Sequence, residues 1–111
     1  MKVYDSWTNK EIDVDLLVRR YPNDNLGLQL ISLEGPYATL TVNIGKVSEN
    51  HAYLDVNNFP EGPTFVTSND LGSPTDSHGS SGYCTYPLFK LNIDKIKQVC
   101  INHDDLEEWL S

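Results

Sequence analysis

Leu26-Gly27-Leu28-Gln29-Leu30-Ile31-Ser32, then a Gly35-Pro36 break, then Tyr37-Ala38-Thr39-Leu40-Thr41-Val42-Asn43-Ile44: these residues decide the fold class of this chain. In the first run Leu26, Leu28, Leu30 and Ser32 fall on one face of a strand and Ile31 and Leu33 on the other, so a strand covered on both faces is expected. The second run is β-branched and aromatic, a composition that fits a pleated, half-buried surface. A link this short makes the pair an antiparallel hairpin, because parallel strands need a crossover of about a dozen residues or more.

Upstream, residues 2–8 and 11–20 flank Asn9-Lys10, and the second run alternates at Ile12, Val14, Leu16 and Val18 before Leu17 breaks the pattern. The spacing predicts a first hairpin with Glu11, Asp13 and Asp15 on an acidic face. Tyr21 to Asn25 has the chemistry of a turn. Downstream, Gly45 to Asn50 connect to a fifth strand over His51 to Val56. Asn58 is expected to cap a short helix with Pro60 and Glu61 in its first turn and Phe65 and Val66 facing inward. Pro63 keeps that helix short. Leu71 to Gly82 contains four Gly or Pro and five Ser or Thr and reads as a loop. Tyr83 to Leu91 resumes β character, with Pro87 pointing to an edge position or a bulge. Asn92 or Asp94 can cap a helix holding Ile93, Ile96, Val99 and Cys100 at three-and-four spacing, and Asp104-Asp105 restart a turn through Leu106, Trp109 and Leu110. The expectation is a single α+β domain over residues 1–111. It comprises an antiparallel sheet of five to six strands in a meander of hairpins, a short central helix and a C-terminal helix packed on the sheet.

A chain of 111 residues can build one modest core, and an apolar fraction of 39% leaves little material for a deep ligand pocket besides. With a net charge of -8, direct nucleic-acid binding is disfavoured, since each neutralised phosphate needs a protein cation. A basic protein partner fits better, set against an acidic surface that simply keeps a small protein soluble. Two cysteines, Cys84 and Cys100, are too few for a disulfide framework, so a reduced cytoplasmic protein is expected, with one bridge between them left open. No apolar run approaches the ~20 residues needed to span a bilayer. The charge is also uneven. From Val47 to Phe89 there are five acids (Glu49, Asp55, Glu61, Asp70 and Asp76) and no Lys or Arg.

Catalytic patterns are weak, and no cofactor is implied. His51, His78 and His103 are far apart and meet no metal-ligand spacing. A Cys84 nucleophile assisted by His51 or His78 would need an electropositive setting in a stretch without cations. Gly79-Ser80-Ser81-Gly82 misses the Gly-x-Ser-x-Gly spacing of a nucleophile elbow. Asp104 and Asp105 are better explained as acids early in a helix. The chain is therefore read as a non-enzyme. The candidate contact residues are Asp55, Glu61, Asp70 and Asp76 for charge, with Tyr83 and Tyr86 for contact area. The loop from Asp70 to Tyr86 is the favoured region.

Pro36-Tyr37-Ala38-Thr39-Leu40-Thr41-Val42-Asn43-Ile44, Val56-Asn57-Asn58-Phe59-Pro60 and Ser81-Gly82-Tyr83-Cys84-Thr85-Tyr86-Pro87-Leu88-Phe89 together carry a resemblance. So does the opening Tyr4-Asp5-Ser6-Trp7-Thr8 with Lys10-Glu11-Ile12-Asp13-Val14. The chain resembles a family of small, acidic, uncharacterised proteins of plasmids and conjugative elements of Gram-positive bacteria, a group from which anti-CRISPR inhibitors of Cas9 have come. The resemblance implies no catalytic residues, a bacterial host cytoplasm, and a basic partner. In a Cas9-type nuclease, guide and target lie in positive channels that an acidic module can occupy. Blocking guide RNA loading is the first expectation and blocking DNA binding the second. The alternatives are a structural or regulatory accessory protein of the mobile element, one that pairs strand edges in a dimer, and a small Cys/His enzyme or metal protein.

Overall fold

The structure, a computed structural model, describes residues 1–110. It is α+β, and the described residues form nine strands in three antiparallel sheets, where five to six strands in one sheet were expected. β1 (Lys2–Asp5) pairs with β2 (Lys10–Asp13), and β3 (Asp15–Arg20), β4 (Leu26–Ser32) and β5 (Gly35–Thr39) form a second sheet. β6 (Thr41–Val42), β7 (His51–Leu54), β9 (Cys84–Leu91) and β8 (Gly72–Ser81) form a third sheet in that spatial order.

Two single residues split runs that read as continuous. Val14 turns its side chain into the core and exchanges backbone hydrogen bonds with Met1, so the Ile12 to Val18 alternation is divided between β2 and β3. Leu40 donates its N–H to Leu28 O and accepts at its carbonyl from Asp55 N, thereby joining β5 in one sheet to β6 in the next. The alternation itself holds: Val14, Leu16 and Val18 are buried, while Asp13, Asp15 and Arg19 are exposed.

The first turn spans Ser6 to Asn9, where Asn9 takes φ 56°, rather than falling at Asn9-Lys10. Trp7 therefore sits at a hairpin tip and not in a strand. A larger correction concerns Leu71 to Gly82. Its loop-like composition is an edge strand, β8, zipped to β9 from Ser81↔Cys84 to Gly72↔Leu91. Gly82, at φ 62°, occupies the first central position of the connecting turn, where a type II′ turn requires glycine. An outermost strand has one solvated edge and no deep face to fill, so Ser, Thr and Gly suffice. The bulge between Pro74 and His78 is held by Thr75, whose hydroxyl donates to Leu88 O.

Pro87 is central rather than at an edge, but it lies opposite that bulge and just beyond the last β7 pairing, Tyr53↔Leu88. Its missing N–H is not called on there. Helix α1 (Gly62–Ser68) starts later than the Asn58 cap implied, with Glu61 at the N-cap and Pro63 in the first turn. Helix α2 (Ile93–Val99) is capped by Asn92, whose side chain accepts from Lys95 N. α3 (His103–Leu110) follows. The core lies between the sheets and helices, joining Leu16, Leu28, Leu30 and Leu40 to Leu54, Phe65, Val66, Phe89, Ile96 and Leu106.

Candidate partner-binding groove

Val3 anchors the β1–β2 hairpin in the core, and the hairpin tip forms one wall of a groove of about 710 Å³. Tyr4, Asp5, Ser6 and Trp7 form that wall, Tyr37, Ala38 and Thr39 of β5 the floor, and Asp55 with Asn58 to Glu61 the opposite wall. Three of the twelve lining residues are acids and none is Lys or Arg. Trp7 is 95% exposed, whereas tryptophan is highly buried on average.

Each carboxylate sits differently. Asp5 accepts from Trp7 N at 3.0 Å and from the Thr8 hydroxyl at 3.2 Å, so it shapes the turn that presents the indole. Asp55 is only 8% exposed and accepts both from Asn58 N at 3.2 Å and from Asn58 Nδ2 at 2.9 Å. It folds the turn that leads into α1, the role expected of Asn58. Glu61 is exposed, and its side chain caps nothing. Tyr37 lies among them, its ring edge-on to Phe59 at 6.2 Å between centroids. Burial, and then the charges of Asp5 and Glu61, push the Tyr37 phenol above its ordinary value. The Tyr4 hydroxyl bonds Asn9 Oδ1, which fixes one ring of the exposed wall.

Of the residues singled out in the sequence, Asp55 and Glu61 meet in this groove. The register brings Tyr83 to the same end of the molecule: Tyr53↔Leu88 sets Asp55 beside Tyr86, and Tyr83 lies three residues further along, about 10 Å. Tyr83 is wholly exposed at the β8–β9 tip, whereas Tyr86 is buried, with its phenol raised by hydrogen bonding to Cys84. Tyr86 belongs to packing on the sheet's outer side, where the Tyr53 ring covers Gly79, the strand partner of Tyr86. Asp76 stands apart at the β8 bulge.

Asp70 serves the backbone. It adopts φ 57° after α1, with Asp70 N bonded to Thr67 O and Leu71 N to Val66 O, the two bonds of a Schellman cap. A second, shallower trough holds Asp70 with Glu49, Lys90 and Asp94.

A family model described as Domain of unknown function (DUF4313) matches residues 15–109. The chain belongs to the DUF4313 family. No curated protein and no solved structure matches it. The DUF4313 match begins at the first residue of β3, so the groove floor and the Asp55–Glu61 wall lie inside it and the Tyr4–Trp7 wall lies outside.

The sequence reading missed Asp5 and Trp7 as groove residues. An indole inside a polar Asp-Ser-Trp-Thr-Asn run was the available signal, hidden by a turn placed two residues late. Among the described residues no group of three or more His, Cys, Asp or Glu is placed to hold a metal ion, and Cys84 and Cys100 are free thiols. Among the described residues no helix is long and apolar enough to cross a membrane. The β8 edge carries Pro74, a bulge and Asp76, features by which sheet edges resist pairing with a second copy.

Proposed function

We propose that this DUF4313 protein acts without catalysis, as a binding protein that docks its groove end on a basic protein surface. The observation that supports this best is the groove lining, with three carboxylates, no Lys or Arg, and an indole left in water. Such a surface steers a cationic partner by long-range attraction and gives it aromatic area on contact. The resemblance to inhibitor-bearing mobile-element proteins makes a Cas9-type nuclease the first partner to test, with guide RNA loading the step to be blocked and DNA binding the next.

The test is co-purification with the nuclease at low salt, with and without guide RNA. Retention by the guide-free enzyme alone, lost as salt rises, is the expected result. If neither form retains the protein, the nuclease reading is wrong. Retention that ignores salt would contradict docking by charge.

A further inference from the structure

We infer that the groove receives an arginine side chain from an extended segment of the protein partner, an inference that rests on the binding reading above. The groove offers two kinds of contact at once. Tyr4 and Trp7 expose aromatic surface along one wall, and the carboxylates of Asp5 and Glu61 line the same groove. A guanidinium can use both together, since its flat face stacks on aromatic rings while its edge donates to carboxylates. A lysine ammonium is a strongly hydrated point charge and gains less from the ring surface.

The groove does not end at the arginine. Past Tyr4 and Glu61, which it shares, a second trough of about 270 Å³ runs over α1 between Val3 and Phe65, with Thr64, Ser68 and Asn69 along it. The outer side of α1 there (Pro63, Thr64, Thr67 and Ser68) carries no charge. Interfaces place their charge-depleted part at the centre and their charges at the margin. Lys2, at the far side of the trough, is engaged with Asp13 at 3.5 Å. The segment that fits thus bears an arginine at the groove and small or apolar residues beside it, rather than a continuous run of cations.

The test uses the full chain, whose two tryptophans give separate indole N–H signals in a two-dimensional NMR spectrum. The probes are two blocked hexapeptides of alanine with two arginines or two lysines. The expected result is a saturable shift of the Trp7 signal, assigned with Trp7→Ala, by the arginine peptide, and binding of the lysine peptide about tenfold weaker. Glu61→Gln, which removes a charge that caps nothing in the fold, should weaken the arginine peptide about tenfold. A Trp7 signal that does not move, equal affinity for the two peptides, or an unchanged Glu61→Gln titration would each overturn the inference. Its failure is separable from failure of the binding reading. A nuclease retained equally by the wild type and Trp7→Ala would leave the partner standing and remove this groove, while peptide binding with no nuclease retained would do the reverse.

Discussion

An acidic side chain on this surface is not automatically a contact for a partner, as Asp70 illustrates. Its φ of 57° is a conformation that costs a residue with a Cβ about 1–2 kcal/mol, and the Schellman cap it completes is ordinarily made by glycine. Its negative charge also lies at the C-terminal end of α1, where the helix dipole disfavours anions. Asp70→Gly should therefore stabilise the protein by about 1 kcal/mol after the extra entropy of a glycine is allowed for. Thermal denaturation reads this as a Tm about 4 °C higher. A lower Tm would mean that the carboxylate does something its geometry does not show. The cysteines are unequal for a similarly local reason. Burial pushes the Cys100 thiol upward and hides it, while Cys84 is half-exposed on β9. A thiol reagent at neutral pH should modify one cysteine per native chain, and two after denaturation. Two rapid equivalents from the native protein would refute the buried position of Cys100.

Between elements, the least conspicuous join is the one that attaches the C-terminal helices to the sheet. Asn102, between α2 and α3, uses both ends of its amide on one strand residue: Nδ2 donates to Val18 O at 2.7 Å and Oδ1 accepts from Val18 N at 2.9 Å. With Ile101 N bonded to Leu16 O, the Cys100–Asn102 link acts as a parallel neighbour that closes the free edge of β3. Asn102→Ala leaves two backbone groups of Val18 without partners and should cost about 2–4 kcal/mol, at about 1–2 kcal/mol for each stranded group. Hydrogen exchange would show the loss as faster exchange at Val18 and through α3; protection unchanged there would refute the join. Nothing in the sequence marks Asn102 for this role, because its partner lies 84 residues away. What could be read were features set by local chemistry, such as the Asn92 cap, the buried Val14, Leu16 and Val18, and the hairpin of β4 and β5. What could not were features decided by neighbours: the strand built from Gly72 to Ser81 and the sheet switch at Leu40. The groove divided along the same line. Asp55 and Glu61 stood out as charge in a cation-free stretch, but their meeting with Asp5 and Trp7 depends on a hairpin folding over β5.

Taken as a whole, the molecule packs 16 acids and 8 Lys or Arg into a body 36 Å across in its longest directions. Among the described residues the ion pairs made by Lys or Arg are Lys2–Asp13 and Arg20–Asp24, both exposed and therefore worth little. Most carboxylates thus feel one another more than they feel a cation, and compaction raises that repulsion relative to the unfolded chain. Salt should act in opposite directions on folding and on binding. Going from about 0.01 M to about 0.15 M shortens the screening length from about 30 Å, nearly the width of the molecule, to about 8 Å. The repulsion then weakens, and Tm should rise by a few degrees with added sodium chloride. The same screening removes the attraction that brings a basic partner to the groove, so affinity should fall as stability climbs. Paired measurements over one salt series, calorimetry for Tm and a binding isotherm for the partner, make the two trends separable. A Tm that falls with salt would show that favourable pairs dominate the native charge distribution, and the acidic surface would have to be explained as a stabilising network instead of a field held ready for a cation.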